Sequence, residues 1–116
     1  MGLTSWLASE SSMVETKRIQ VGSIALARRQ TGVCDIGEIG VCYEVYNLDN
    51  RPGYSFLFQS GRYDGFSPDD VAMFLMVTEE ICPTIADYQF HSVMRLCRDF
   101  EQGRFDEAFP TRQSHE

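Results

Sequence analysis

Residues 54–70 read Tyr54-Ser55-Phe56-Leu57-Phe58-Gln59-Ser60-Gly61-Arg62-Tyr63-Asp64-Gly65-Phe66-Ser67-Pro68-Asp69-Asp70. Six residues rich in β-formers, a Ser-Gly pair and a second aromatic run make a β-hairpin. With Ser60-Gly61 as a two-residue turn, Gln59 faces Arg62, Phe58 faces Tyr63 and Phe56 faces Gly65. One face then carries Tyr54, Phe56, Phe58 and Tyr63, with an aromatic lying across the glycine, and such cross-strand pairs stabilise a sheet. The other face carries Ser55, Leu57, Gln59, Arg62 and Asp64 and suits solvent. Directly after the hairpin comes a helix start. Ser67 is a good N-cap, Pro68 suits the first helical position, and Asp69 and Asp70 sit where the helix dipole favours anions. A helix over 68–77 follows.

Upstream, Ile39, Val41, Tyr43 and Val45 alternate with Gly40, Cys42, Glu44 and Tyr46, the period-two pattern of a half-buried strand. Between the two strands, residues 47–53 hold the turn signals Asp49-Asn50 and Pro52-Gly53. Residues 18–30 carry two readings. Ile19 and Val21, then Ile24 and Leu26 in the opposite phase, make a strand with a bulge at Gly22; alternatively Ser23 caps a short helix that Gly32 ends. The strand is the preferred reading. Downstream, Pro83 breaks any helix across 79–87. Tyr88 to His91 reads as a short last strand. Val93, Leu96, Cys97 and Phe100 recur at helical spacing, giving a helix over 92–102 with Gly103 as its stop. Phe105 and Phe109 pack back as a single turn.

These elements define an α+β domain with a small, curved antiparallel sheet and two main helices. Its strand order over residues 19–92 resembles an SH3-like barrel with helical additions. The resemblance carries no family motif and transfers no functional residue. Residues 17–110 form the single globular domain expected of a chain of 116 residues. A domain of that size is expected to hold one core. Residues 1–16 are a small, polar N-terminal arm, except for Trp6 and Leu7, and residues 111–116 are a loose polar tail.

The composition excludes several functions. Seventeen acidic residues against ten basic give a net charge of −7, which disfavours nucleic acid and anionic membrane surfaces. The longest apolar run, Ala72 to Val77, is too short to cross a bilayer. The first residues lack the basic region and apolar core of an export signal, so a cytoplasmic location and reduced thiols at Cys34, Cys42, Cys82 and Cys97 are expected. No CxxC pair occurs, and His91 and His115 are far from the cysteines in sequence. No metal site or cofactor is therefore expected, and no glycine pattern for nucleotide phosphates is present.

No residue set makes a recognisable catalytic group. Asp35 and Glu38 flank a glycine-rich turn. The aromatics between Tyr43 and Phe66 either fill the core or floor a groove, with Tyr46 and Phe66 the most exposed. A groove would bind a small ligand or a peptide through Tyr43, Tyr46, Tyr63, Asp64, Phe66, Asp35 and Glu38. On the 68–77 helix, Val71, Phe74, Leu75 and Thr78 form the core stripe. Ala72, Met73 and Met76 lie on flanks that are apolar where polar residues belong, so they, with Trp6, are candidate contacts in a homodimer. The sequence thus favours a non-enzymatic interaction or adaptor module that self-associates. The alternative is a small-ligand-binding or enzymatic domain using the aromatic groove and its carboxylates.

Overall fold

A computed structural model of the chain describes residues 19–109. The arm 1–16 with Trp6, and the tail 111–116, lie outside the described residues. The elements run β1 (Ser23–Ala27), β2 (Ile39–Leu48), β3 (Arg51–Phe58), β4 (Tyr63–Phe66), α1 (Pro68–Phe74), β5 (Leu75–Ile81), α2 (Pro83–Ala86) and α3 (Val93–Glu101), then a 3-10 turn at Asp106–Ala108. The five strands form one antiparallel sheet in the order β4-β3-β2-β1-β5. The fold is α+β. The sheet is open, with β4 and β5 at its edges, and does not close into a barrel.

Local chemistry explains the best-formed connections. Asp49 and Asn50 both take positive φ, 52° and 65°. That pair is the two-residue turn whose twist matches a right-handed hairpin, so β3 begins at Arg51 and the Pro52-Gly53 signal lies inside the strand rather than in a loop. The β3–β4 connection is longer than Ser60-Gly61 alone. Phe58 N–H donates to the Arg62 carbonyl at 2.8 Å and Gly61 N–H to the Phe58 carbonyl at 2.8 Å. With Gly61 at φ 96°, Gln59-Ser60-Gly61 is a three-residue loop closed by a left-handed glycine. The extra residue shifts the expected register by one. Leu57 faces Tyr63, Phe56 faces Asp64, Ser55 faces Gly65 and Tyr54 faces Phe66.

A one-residue slip exchanges the faces of β4, and the chain buries both sides of the sheet. On one side Ala25, Ala27, Cys42, Tyr54, Phe56, Phe58 and Phe66 pack with Val71 and Leu75. On the other, Val41, Tyr43 and Leu57 pack with Ile85, Tyr88, Leu96, Phe105 and Phe109. The expected single core is therefore two, separated by the sheet, and the Leu57 face is covered by the C-terminal segment rather than open to solvent. Leu57 is fully buried and Ser55 nearly so.

Two elements differ from the sequence reading after Ser67. Ser67 caps the helix as expected, Asp70 N–H donating to its Oγ at 3.1 Å, and Asp70 adds a reciprocal bond that completes a capping box, Ser67 N–H donating to Asp70 Oδ2 at 3.4 Å. The helix stops at Phe74, however, and Leu75 turns extended at φ −126°, ψ 151°. Residues 75–77 then pair with β1, Leu75 opposite Ala27, Met76 opposite Leu26 and Val77 opposite Ala25. Val77 and Thr78 are β-branched and favour extended backbone, and β1 holds the segment through the bond from Arg28 N–H to the Phe74 carbonyl and the one from Thr78 Oγ1 to the Ile24 carbonyl at 2.9 Å. The 68–77 helix is thus a helix joined to a strand. Tyr88 to His91 forms no strand; the fifth strand of the sheet is β5. The preferred strand reading of 18–30 holds only from Ser23: Ile19 to Gly22 lie before β1, with Gly22 in a turn rather than a bulge, and the irregularity of this ladder lies in β5, whose residues 77–81 span Ala25 to Ser23. Near Gly103, α3 matches its expected extent closely, and Asp106–Ala108 is the single turn that seats Phe105 and Phe109 in the core.

Candidate functional site

The seven residues expected to line a groove fall in three places. Tyr43, Tyr46 and Tyr63 stand on the C-terminal side of the sheet. Asp64 and Phe66 turn to the α1 side. Asp35 and Glu38 lie beyond the opposite end of the hairpin, near Ser60.

The tyrosine group is organised by a bulge. The β2–β3 register steps between Cys42 and Glu44, so Tyr43 is an extra residue on β2. Tyr43 and Glu44 consequently address the same side of the sheet, where Glu44 faces Ser55. Ser55 Oγ donates to Glu44 Oε1 at 3.2 Å. The Tyr43 ring lies 5.1 Å from Phe90. Burial pushes the Tyr43 phenol up to about 12; a hydrogen bond with Ser55 opposes this, while the charges of Glu44 and Asp64 and the neighbouring Tyr63 add to it. Burial, followed by Glu44 and Asp64, also raises Tyr46. A phenol held neutral in this way is a hydrogen-bonding core group and not a ready base.

Beyond the bulge the alternation of β2 changes side, so Val45, expected inside with Val41 and Tyr43, faces Tyr54 and is 44% exposed. Tyr46 lies flat over two glycines. A Cβ on Gly53 would stand 2.2 Å from its Cε2, and one on Gly65 would stand 2.7 Å from its hydroxyl oxygen. The aromatic covering Gly65 is therefore Tyr46 from two strands away, not Phe56.

On the α1 side, Asp64 and Phe66 join Gln30, Thr31, Gly32, Val33, Asp70 and Phe74 around an open cleft of about 300 Å³. Both carboxylates serve the backbone: Asp64 Oδ1 accepts from Gly65 N–H at 2.8 Å, and Asp70 completes the capping box. Phe66 is 5% exposed, so the ring expected to be open is a core residue, set edge-on to Phe56 at 5.8 Å and to Phe58 at 6.1 Å. Glu38 is a structural tie. Its Oε1 accepts from Asp35 N–H at 2.9 Å and its Oε2 from Ser60 N–H at 2.9 Å, with Arg62 at 3.9 Å. It thereby fastens the 34–38 turn to the β3–β4 loop.

The cysteines are all unpaired. Burial raises the Cys42 thiol to about 12, partly offset by its hydrogen bond to the Glu44 carbonyl and reinforced by the Glu44 charge. It is a protonated apolar filler, as its strand position implied. Residues that sequence reasoning missed include Glu44 and Ser55, which only the bulge brings face to face. They also include Arg95, Arg104, Asp87 and Asp99, which with Tyr88 and His91 line a polar cleft of about 230 Å³. There Tyr88 donates to Asp99 Oδ2 at 3.2 Å and the Arg104 guanidinium lies 5.1 Å from the Tyr88 ring centre. Among the described residues, no three histidine, cysteine or acidic side chains are grouped to hold a metal, and no helix is long and apolar enough to cross a membrane.

The residues expected at a homodimer contact lie on two consecutive elements. Ala72 and Met73 lie on α1 and Met76 on β5, all exposed, with Met73 at 51% and Met76 at 48%. Comparison with known protein families, curated proteins and solved structures finds no match to this chain.

Proposed function

We propose that this chain is a non-enzymatic interaction module, of adaptor type, that associates with a second copy of itself. The observation that carries the reading is the edge of β5: among the described residues no strand pairs with its outer side, Met76 on it is exposed, and so are Ala72 and Met73 on the helix that precedes it. Exposed apolar groups beside an unpaired strand mark an interaction surface, and methionine adapts well to such surfaces. The SH3-like strand order supports the adaptor role by analogy of shape alone. The net charge of −7 favours protein partners over nucleic acid or membrane. Four unpaired cysteines fit a reducing, cytoplasmic setting. Light scattering tests the reading: the wild type is expected at twice the chain mass, and Met73→Glu with Met76→Glu at the mass of one chain with its circular dichroism unchanged. A wild type that stays at one chain mass at high concentration overturns it. So does a double variant that unfolds, since both methionines would then be core.

A second reading has its own support. The cleft between Gln30–Val33 and α1 joins Asp64 and Phe66 to Asp70 and Phe74, and carboxylates beside aromatic rings suit a small cationic ligand. Shifts of the Gly32, Gly65 and Asp70 amide resonances on titration with a small aromatic amine are its signature, and unmoved resonances refute it.

A further inference from the structure

We infer that residues 1–18 dock on their own domain, with Trp6 and Leu7 seated in an apolar cleft that the C-terminal segment leaves open beside β1. The inference goes beyond self-association and does not depend on it.

The sheet is covered unequally on its C-terminal side. On β2 and β3, Val41, Tyr43 and Leu57 are buried beneath Ile85, Leu96, Phe105 and Phe109. Ile24 of β1 pairs with Val41 and so faces the same way, as does Leu26 two residues on. Leu26 in turn pairs with Ile39 on β2 and Met76 on β5, which makes one apolar row across three strands. Among the described residues the cover stops short of that row: Ile24, Leu26 and Ile39 are half-buried, and Met76 is exposed. At the end of the row lies a cleft of about 370 Å³, lined by Ile24, Ile39 and Ile81 from the sheet and by Pro83 and Ala108 from the segment after it. Its charged residues, Glu80 and Glu107, are both acidic. Thr84 Oγ1 donates to Glu107 at 2.9 Å but brings no positive charge.

Tether, chemistry and charge select the arm as the occupant. The described chain begins at Ile19, which is buried. Three residues later the Gly22 carbonyl accepts from Cys82 N–H at 2.8 Å, and a Cβ on Gly22 would stand 3.1 Å from Ile81 Cγ2. The arm is therefore attached within a few residues of the cleft. Eleven residues separate Leu7 from Ile19, and a flexible chain of that length spans about 20 Å on average. A segment held this close has an effective concentration on the order of millimolar, so at micromolar protein it takes the cleft ahead of a second copy. The arm is small and polar apart from a few apolar residues, among which Trp6 and Leu7 are adjacent. An indole brings a large apolar surface and one N–H donor, and Glu80 and Glu107 offer that donor acceptors. The basic pair Lys17-Arg18 directly precedes Ile19, on the approach to a cleft whose charges are negative.

Trp6 is the one tryptophan of the chain, so the fluorescence of the full-length protein reports on it alone. A seated Trp6 emits to the blue of the urea-unfolded chain, with an acrylamide quenching constant several-fold lower. Ile81→Glu puts a charge into the cleft at a residue that belongs to neither core; emission is expected to move to the unfolded value while the circular dichroism is unchanged. Trp6→Ala alters no described residue and keeps the test open if Ile81→Glu unfolds. It is expected to shift the methyl resonances of Ile24, Ile39 and Ile81 and to leave those of Leu48 in place. A wild-type Trp6 as open to acrylamide as in urea overturns the inference. So do a shielded Trp6 that a folded Ile81→Glu does not release, and unmoved isoleucine methyls in Trp6→Ala. Emission that turns red on dilution, in step with loss of the two-chain mass, assigns the cover to a second copy and also overturns it. A shielded Trp6 in particles of one-chain mass supports the docked arm and overturns self-association; an open Trp6 in particles of two-chain mass does the reverse.

Discussion

Replacing Leu57 by alanine measures whether the second core exists. Leu57 sits on β3, two strands in from the β1 pairing, and is fully buried among Val41 and the C-terminal aromatics. Were the hairpin closed by Ser60-Gly61 alone with its second face open, Leu57 would lie in solvent, and its truncation would cost no more than about 0.5 kcal/mol. Under the C-terminal layer, the same truncation removes buried methyl groups and leaves a hole whose walls are held by the sheet on one side and α3 on the other. Leucine-to-alanine changes at such sites cost about 2–5 kcal/mol, and a rigid central strand places this one near 3 kcal/mol. That loss lowers the melting temperature by roughly 12–24 °C for a domain of this size. Urea unfolding followed by circular dichroism gives the value directly, with Leu48→Ala as the control. Leu48 is 65% exposed, so its truncation stays within about 0.5 kcal/mol. Equal midpoints for the two variants would refute the two-sided packing.

Two further outcomes follow from local geometry. Ser67→Ala removes the acceptor for Asp70 N–H and is expected to cost about 1 kcal/mol, while Ser67→Asp is nearly neutral because aspartate also caps; equal large losses from both in urea unfolding refute the capping role. Tyr43 is raised from 10.0 to about 12, chiefly by burial, so the folded state holds its proton more firmly than the unfolded chain. Its contribution to stability is complete below pH 10 and is lost as pH rises toward 12, so urea midpoints fall more steeply through that window in the wild type than in Tyr43→Phe, and parallel curves refute it.

Where a residue announced its own backbone chemistry, the sequence was readable. Ser67-Pro68-Asp69-Asp70 marked the helix start and its Ser67 cap, Asp49-Asn50 marked a turn, and the alternation from Ile39 to Tyr43 marked the strand. Val93, Leu96 and Phe100 marked α3 by their spacing. The register of the aromatic hairpin was not readable, because Ser60-Gly61 fits a two-residue turn as well as the end of a three-residue one, and only the bond from Phe58 N–H to the Arg62 carbonyl distinguishes them. Nor was the bulge at Tyr43, which has no glycine or proline to mark it. That single extra residue decides the candidate site: it sets Glu44 against Ser55, sends Val45 outward, and lays Tyr46 over Gly53 and Gly65. The groove expected from the aromatics divides for the same reason, since the slipped hairpin sends Asp64 and Phe66 to the side away from Tyr43 and Tyr63.

The change from helix to strand at Leu75 is the most instructive case, because it moves the origin of the candidate interface without moving its residues. Read as one helix, residues 68–77 carry apolar groups on too many sides, an excess that a second copy would cover. Leu75 and Val77 in fact face the α1-side core from a strand, while Met76 stands on the opposite side opposite Leu26. Apolar residues on several sides of a supposed helix become, at period two, a strand with one buried row and one open row. The excess of apolar surface is therefore smaller than the helix reading implied. The switch adds something that no helix has: a run of outward backbone donors and acceptors next to the methionines. A surface helix keeps its hydrogen bonds to itself, whereas an edge strand presents its own to a neighbour. Directional bonds can define a register, which loose apolar contact alone does not, so the proposed self-association draws more support from the edge of β5 than from the methionines by themselves.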